Sequence, residues 1–448
     1  RYVLMGKKRI VAGAGHGGIA AAAFLAGAGL DVTVYERNKK GTLGYDWTDI
    51  FAPSAWKAAG MAMPPAEKFE YKSNMTFYSP DMKKPLEQHI PEDEIEMKME
   101  RKDIYEHLLS HAAERGVRFV YGCDITAPIL LGNRVAGIQT SEGDFYGDLV
   151  IDAAGLDSPV RGNLPPMCGI EKSAGPYGQF YVYRAFYNRA GYEKTPVKYK
   201  VFLLPEGKPG VGWVAAEDTF ADLLIGRFEP FDLEEANRTA DCYRQTNPVL
   251  GRDLLRGGQF VKIPVRHPLS VMVCDGYAAI GDSAFMTMPI IGSGIANSLK
   301  ASRMLSDTVL ADKAGAYSAD TLWDYQRKYY RQIGAGLAQI ACVKTLLINI
   351  TPAQLDYAFE EGILTADDFA IGSDNSSLAG MLKLTPKEIK RRALAIGKDQ
   401  DLLKKVLALG ARIGRVATVT TLMPQKWNRS AVAKWSHQYR KICAVNRK

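Results

Sequence analysis

The 448-residue sequence has six cysteines, at positions 123, 168, 242, 274, 342 and 443, and no Cys-x-x-Cys pair. That scatter argues against a disulfide framework or a zinc site and fits a reducing compartment. Long uncharged apolar runs are missing too. The most apolar late stretch, Ile333 to Ile350, carries Gln339, Lys344 and Asn349, so it reads as a buried helix and not as a membrane span. His107 and His111 stand four apart on a helical pattern with no third ligand in view, so no metal is expected. No internal repeat or low-complexity segment stands out. The opening RYVLMGKK is too short and too polar for a secretory leader, and Met5 is a candidate native start. Acidic residues are scarce at one end: residues 381–448 hold 17 Lys/Arg and 3 Asp/Glu, a surplus of +14 within a net charge of +8. The rest of the chain is therefore mildly acidic, and its chemistry is not that of a basic nucleic-acid binder; no motif for such binding is found.

What is present is a large apolar fraction, 47%, enough for a substantial core and two or three domains. The organising stretch is RIVAGAGHGGIAAAAFLAGAGLDVTVYE, residues 9–36. An apolar run ends at Gly13; Gly13, Gly15 and Gly18 give G-x-G-x-x-G; a small-residue helix is expected over Ile19–Leu30, then a strand over Asp31–Tyr35 that stops at Glu36. Strand, helix, strand and acid in this register predict a βαβ unit that holds a dinucleotide. Gly13 serves the tight turn and Gly15 the approach of a pyrophosphate. His16, Gly17 and Gly18 lie at the helix N-terminus, whose N–H groups and dipole favour phosphate. Glu36, with Arg37 beside it, is placed to meet ribose hydroxyls.

Further along, a short helix is expected at Pro53–Ala59, irregular or extended chain over 61–98, and a helix over Glu100–Gly116. Strands follow at Val117–Tyr121, Ile125–Leu131, Arg134–Thr140, Asp144–Tyr146 and Leu149–Asp152, the middle three forming a meander. Gln179–Tyr187, Lys198–Leu204, Val211–Glu217 and Phe220–Phe228 alternate as strands of an antiparallel sheet, with a helix over Leu233–Thr246. The fold expected is α/β (α+β). Residues 1–164 and 271–330 form a discontinuous Rossmann-like domain with the βαβ unit and a three-stranded meander. Residues 165–270 form an antiparallel-sheet substrate domain, and 331–448 a helical, basic C-terminal region.

Three more segments join the first. Arg101 opens a helix from which it can reach a pyrophosphate or ribose. An apolar strand ends in Asp152-Ala153-Ala154-Gly155, where small residues such as Ala154 and Gly155 let the strand end approach a nucleotide. A second strand ends at Gly281-Asp282, where the aspartate can bond a ribityl chain. The loop through Pro289, Gly292 and Gly294 then opens a helix at Ile295. A helix N-terminus there stabilises negative charge on a reduced isoalloxazine. Nicotinamide needs no such second cradle, so this segment selects FAD.

The set GAGHGG…E, Arg101, DAAGLDSPVR and GDSAFMTMPIIGSGI resembles the FAD-dependent oxidoreductases of the para-hydroxybenzoate hydroxylase superfold, over roughly residues 8–330. Within it, IPVRHPLSVMVCDGYAAIGDSA with PIIGSGIANSLKAS is most similar to the geranylgeranyl reductase family. The resemblance implies non-covalent FAD and hydride transfer to a carbon–carbon double bond of an apolar, isoprenoid or lipid substrate. The alternative it leaves is a flavin-dependent monooxygenase hydroxylating an aromatic or apolar small molecule. A non-enzymatic alternative is a flavin-bearing protein whose tail binds a membrane or partner. Archaeal members of the reductase family usually carry a Cys in the loop after the second strand. This chain has none between 37 and 60, so no thiol is expected at the flavin.

Tyr45 and Asp49, in the loop expected near the ring, are the candidate proton donors. Trp47, Tyr181, Tyr183, Trp213 and Met288 are the candidate walls of a substrate cavity. Gly334-Ala335-Gly336 lacks a preceding strand, so no second dinucleotide domain is expected. Electrons would come from an external NAD(P)H or a ferredoxin-like partner. Leu402, Leu403, Val406, Leu409 and Ile413 fall near one helical stripe in the basic tail. That stripe could lie on an anionic membrane surface or cap the catalytic domains. The expected location is cytoplasmic, or peripheral at the membrane.

Overall fold

The structure, a computed structural model, describes residues 7–191, 197–369 and 384–444. Met5, residues 370–383 and the last four residues of the helical region expected at 331–448 lie outside the described residues.

The first sheet has six strands, in the order Val273–Cys274, Tyr277–Ala279, Leu149–Asp152, Lys8–Ala12, Asp31–Glu36 and Arg118–Tyr121. All pairings are parallel except that of Val273–Cys274 with Tyr277–Ala279. Parallel strands are covered on both faces and so read as continuous apolar runs. Ile10, Val11, Ala12, Val150 and Ile151 are accordingly all buried. The expected helix begins earlier, at His16, and ends at Gly27; Leu30 belongs to the following turn, where Gly29 takes a φ of +85°. The helix is apolar all round and buried along most of its length, as such a helix must be. Ile125–Leu131, Arg134–Thr140 and Gly143–Tyr146 form the expected antiparallel meander.

The second sheet has seven strands, ordered Leu250–Pro264, Gln179–Arg189, Phe220–Arg227, Gly210–Ala216, Tyr199–Leu203, Met75–Tyr78 and Leu86–Glu87. Two features of it were not expected. The fifteen-residue strand Leu250–Pro264 pairs along Gln179–Arg189 with three register shifts. Gly257 and Gly258 take φ values of +74° and +69° there, which bulge the strand and hide its alternation. Met75–Tyr78, from the stretch expected to be irregular or extended, pairs parallel with Tyr199–Phe202 and so joins this sheet.

The two faces of this sheet pack differently. Tyr183, Ala185 and Tyr187 turn toward the helix Leu233–Thr246, among Ala236, Ala240 and Tyr243. Phe180, Val182 and Phe186 turn the other way and pack with Trp47, Val211 and Trp213. Tyr183 therefore does not line a cavity with Trp47, and Tyr181, two residues away on the same pleat face, bonds Gln179 at 2.7 Å. The wall facing Trp47 comes from the even-numbered residues.

The C-terminal helices cap the rest. Trp435 donates to the Val419 carbonyl at 2.7 Å, and Trp323 to that of Pro424 at 2.8 Å. Of the stripe singled out in the tail, Leu402 is buried, and Leu409 and Ile413 pack against the core; this face meets protein. No single described helix is long and apolar enough to cross a membrane; Ala319–Asn349 with Pro352–Glu360 reaches that length only as a pair bent by 114°. In Ala335–Asn349, Leu337, Ala338, Ile340 and Ala341 are buried.

That helix also buries Lys344, whose ammonium donates to the carbonyls of Tyr177 and Val265, the latter at 2.8 Å. Burial, with Arg266 nearby, pulls its pKa from 10.5 to about 7. A base lowered on folding is protonated more in the unfolded chain, so stability rises with pH between these two values. Urea unfolding from pH 7 to 10 should show that rise, and Lys344→Met should flatten it; an unchanged slope would remove Lys344 as its source.

Candidate active site

The glycine turn is built by close approach. Gly13 has φ +87°, and a Cβ on it would lie 2.6 Å from Ala154 Cα; a Cβ on Gly15 would lie 2.7 Å from the Ala153 carbonyl oxygen, and one on Gly18 2.5 Å from Ala153 Cβ. The end of the Leu149–Asp152 strand thus lies directly against the turn. Gly17 faces another way: its Cβ would meet the Ser298 carbonyl oxygen at 2.9 Å, so it seats the first helix on the helix Ile295–Ala311. Gly15 caps the first helix without any side-chain hydrogen bond, which leaves the orphan N–H groups of the helix start for a ligand.

Glu36 is buried. Its carboxylate accepts from Ala14 N at 2.7 Å and Asn38 N at 2.8 Å, which fixes its plane at the strand end. Arg37 is exposed. His16 stacks on Tyr105 with centroids 4.5 Å apart. Burial, reinforced by Arg101, drops its pKa to about 3, so the imidazole is neutral. Its Nε2 is buried with no hydrogen-bond partner.

Arg101 N donates to the Trp47 carbonyl at 2.9 Å. Its guanidinium grips Asp49 through both carboxylate oxygens, at 2.8 and 2.5 Å, and stands over the Tyr45 ring at 4.7 Å. Burial alone would raise the Asp49 carboxyl, but the Arg101 guanidinium holds it below the ordinary value. Asp49 is then an anion at neutral pH and a poor proton donor. Tyr45 is 40% exposed; the surroundings of its hydroxyl raise its pKa, chiefly by desolvation, while Arg101, Asp282, Arg37 and Asp49 all act on it. Tyr45, Asp49, Arg101, Arg37, His16 and Asp282 are therefore brought together from distant parts of the chain.

The Gly281–Asp282 end is tied to the Asp152 end. The buried Asp152 carboxylate accepts from Ser158 Oγ at 2.6 Å, Tyr277 Oη at 2.8 Å and Ser283 Oγ at 2.9 Å. Gly155 N donates to Ser283 Oγ at 2.9 Å, and Arg161 to the Ser283 carbonyl at 2.7 Å. Asp282 accepts from Thr287 Oγ1 at 2.8 Å, and burial raises its pKa. Ser293 lies in the tight loop that follows: Met288 N donates to the Ser293 carbonyl and Gly292 N to that of Met288, both at 2.9 Å. Ser293 Oγ also reaches the Ile50 carbonyl at 3.1 Å, which fixes the loop Pro289–Gly294 to the strand Thr48–Phe51. Gly294 precedes Ile295, where the long helix starts. Met288 is fully buried.

Sequence reasoning missed the support of Trp47. Arg184 is buried and bidentate to Asp222, at 2.9 and 2.6 Å. It also donates to the Thr48 carbonyl at 2.6 Å, and its guanidinium lies 5.7 Å from the Trp47 ring and 5.2 Å from that of Trp213. An Arg on the even face and an Asp on the neighbouring strand were the available signal; the register that sets Asp222 across from Phe186, diagonal to Arg184, was not. The indole N–H groups of Trp47 and Trp213 are buried without partners. His107 donates to the Ala62 carbonyl at 3.0 Å and His111 contacts Arg115 at 3.0 Å, so the two imidazoles serve separate partners.

A glycine turn with a fixed acid lies at one end of the site and an aspartate with a second helix start at the other. At the first end stands the unpartnered imidazole nitrogen of His16, and the indoles of Trp47 and Trp213 are buried without partners. Such a layout fits a long ligand with a diphosphate at its middle and a polar chain leading to a ring. The fold is that of the FAD-dependent oxidoreductases of the para-hydroxybenzoate hydroxylase superfold, and FAD is the cofactor these residues fit. Within that class the likeness runs to the geranylgeranyl reductases. The family model of the NAD(P)-binding Rossmann-like domain matches residues 11–54. The digeranylgeranylglycerophospholipid reductase of Sulfolobus acidocaldarius is 23% identical over 446 residues, which cover 96% of this chain and 95% of that protein. The crystal structure of a geranylgeranyl bacteriochlorophyll reductase-like protein from Thermoplasma acidophilum has a TM-score of 0.69 at 18% identity, over 90% of this chain and 99% of that one. PqsL of Pseudomonas aeruginosa, described as a probable FAD-dependent monooxygenase, has a TM-score of 0.56 at 18% identity, over 79% and 99%.

Proposed function

We propose that this oxidoreductase reduces a carbon–carbon double bond of an apolar isoprenoid or lipid substrate. The observation that carries the reading is the end-to-end similarity to a reductase named for such a lipid. The aromatic and apolar wall around Trp47, with Phe180, Val182, Phe186 and Trp213, suits a substrate of that kind. FAD, held without a covalent bond, supplies the hydride when reduced. Gly13, Gly15, His16, Gly17, Gly18, Glu36 and Arg37 hold its nucleotide half. Ala154 and Gly155, at the strand end that lies against the glycine turn, border that half, and Gly281, Asp282, Pro289, Gly292, Gly294 and Ile295 line its other end. Arg101 keeps Asp49 ionised and positions Tyr45, whose hydroxyl stays protonated at neutral pH and gives the proton to the second carbon. Electrons enter from NAD(P)H or a ferredoxin-like partner, tested by whether anaerobic NADPH bleaches the bound flavin.

The test is anaerobic turnover of a polyprenyl alkene by the dithionite-reduced holoenzyme, with a saturated product expected. A product that forms only with oxygen and carries a hydroxyl would establish the monooxygenase reading instead, the one favoured by the likeness to PqsL. Tyr45→Phe should lower the rate of alkene reduction by about 100-fold or more, the scale of a lost general acid, while FAD still binds; an unchanged rate would place the proton elsewhere.

For the tail, the outward residues matter. Ile389, Leu394, Leu407 and Leu422 are exposed, at 53–65%, among the exposed Lys387, Lys390, Lys404 and Arg415. This mixture suits an anionic lipid surface. The full-length protein should float with anionic vesicles and less with neutral ones, and Lys404→Glu with Leu407→Glu should abolish the difference. Equal recovery of the two proteins would discard the membrane reading.

A further inference from the structure

Two arginines on one face of the second sheet reach the segment that carries Tyr45 and Trp47. Arg184 holds Thr48, as described above. Arg256 lies opposite Phe186 on the neighbouring strand, with its guanidinium 3.9 Å from the centre of that ring. From this seat Arg256 Nη1 donates to Asp46 Oδ1 at 2.5 Å, and Nη2 donates to Glu100 Oε1 at 2.7 Å. Nη1 also donates to Glu100 Oε2 at 3.2 Å. The glycine bulge adds two bonds to the same aspartate. Gly257 N donates to Asp46 Oδ2 at 3.2 Å, and Asp46 N donates to Gln259 Oε1 at 3.0 Å. Bulges re-aim strand groups beside functional sites, and this one points a main-chain N–H at Asp46. The two acids joined by Arg256 are neighbours of the groups that frame Tyr45: Asp46 separates Tyr45 from Trp47, and Glu100 precedes Arg101. The chain between Glu36 and Thr48 is neither helix nor strand, so side-chain contacts have to fix its shape.

We propose that Arg256 is a positioning residue for Tyr45: by clasping Asp46 and Glu100 it fixes the loop and sets the phenol for proton transfer. The inference rests on the reading of Tyr45 as the proton donor. The clasp works from both sides of the phenol. Trp47 N donates to the Tyr45 carbonyl at 2.9 Å, and the two rings stand 5.4 Å apart. Arg101 N donates to the Trp47 carbonyl, and the Arg101 guanidinium lies over the Tyr45 ring. Moving Asp46 therefore moves Tyr45 and Trp47, and moving Glu100 moves Arg101. A planar guanidinium shared by two carboxylates is directional as well as attractive, and the single ammonium of a lysine reproduces only part of it. The side chains of Arg256 and Asp46 are 28% and 47% exposed. Ion pairs at such exposure add little to global stability, so the effect of this one is local. Proton transfer needs the donor within hydrogen-bond reach, and a misplacement of about 1 Å costs on the order of 100-fold in rate.

The test uses the full-length, FAD-loaded protein. Arg256→Met should lower kcat for alkene reduction by about 10- to 100-fold, with KM, FAD affinity and the urea midpoint near those of the unaltered protein. Arg256→Lys should restore part of the loss. Arg256→Met combined with Tyr45→Phe should turn over no more slowly than Tyr45→Phe alone, because the arginine acts through the phenol. Amide hydrogen exchange gives a readout that needs no substrate. In Arg256→Met the peptide spanning Tyr45–Trp47 should exchange about tenfold faster, while peptides from the helix His16–Gly27 keep their rate. If exchange rises in this way but the unaltered protein reduces no alkene, the reaction is overturned and the clasp on the loop is upheld. If exchange over Tyr45–Trp47 is the same with and without Arg256, or if Arg256→Met raises KM and leaves kcat unchanged, the positioning role is overturned.

Discussion

Gly13→Ala should give a protein that purifies without its yellow flavin band. At φ +87° an L side chain is strained, at roughly 1–2 kcal/mol, but sterics decide the outcome. The added Cβ would stand 2.6 Å from Ala154 Cα and 2.8 Å from the Ala153 carbonyl oxygen. Both are main-chain atoms, and the strand that carries them is locked by the Asp152 hydrogen bonds. Neither neighbour has a rotamer to move. Either the turn shifts away from the phosphates, or the strand end does; both displace groups at the cofactor. An affinity loss of about 100-fold corresponds to only about 2.7 kcal/mol, which a forced shift on this scale easily exceeds. Gly414→Ala is the control: it lies in a helix, with nothing within 4 Å of the new Cβ, and should be neutral or slightly stabilising. The measurement is FAD affinity by quenching of flavin fluorescence. Equal affinity of the Gly13 variant and the unaltered protein would remove the glycine turn from the cofactor site.

The second large effect is on stability. Arg184→Met should cost about 3–5 kcal/mol, the usual result of removing one member of a buried ion pair. Arg184 and Asp222 are both buried, at 4% and 1% exposure, and Met would leave the Asp222 carboxylate without a cation and the Thr48 carbonyl without a donor. The strand Thr48–Phe51 also holds Asp49 and meets Ser293, so the loss should propagate to the flavin side. Arg184→Met with Asp222→Leu removes both charges and should recover much of the loss, because an apolar pair of similar volume needs no desolvation of charge. Urea unfolding midpoints of the two proteins decide this. A single variant that unfolds at the midpoint of the unaltered protein would contradict the reading.

The glycine turn and the buried acid at the strand end were legible in the sequence because their determinants are local. Gly13, Gly15, Gly18 and Glu36 fall within one βαβ unit, where spacing alone implies geometry. The later strand ending at Gly281-Asp282 and the helix from Ile295 were legible for the same reason. What was not legible depends on tertiary neighbours. Gly17 could not be seen to face Ser298, nor Asp152 to gather Ser158, Tyr277 and Ser283. Alternation separated the odd from the even residues of Gln179–Tyr187, but not which set faces Trp47. That depends on where the helix Leu233–Thr246 packs, and the tyrosines went beneath it. The strand Leu250–Pro264 escaped notice because Asp253, Arg256 and the Gly257-Gly258 bulge break its period of two. Met75–Tyr78 is only four residues long, and its partner lies more than a hundred residues away.

That short strand has a consequence for how this enzyme could be recombined. It comes from before residue 164 and completes a sheet whose other main strands lie within residues 179–264. A chimera joined at the obvious seam near residue 164, with a foreign substrate half, would bring a graft whose sheet expects a matching strand from upstream. The two halves are therefore sewn together rather than abutted. Exchange of the segment after residue 164 as a unit would thus part this sheet from its Met75–Tyr78 strand.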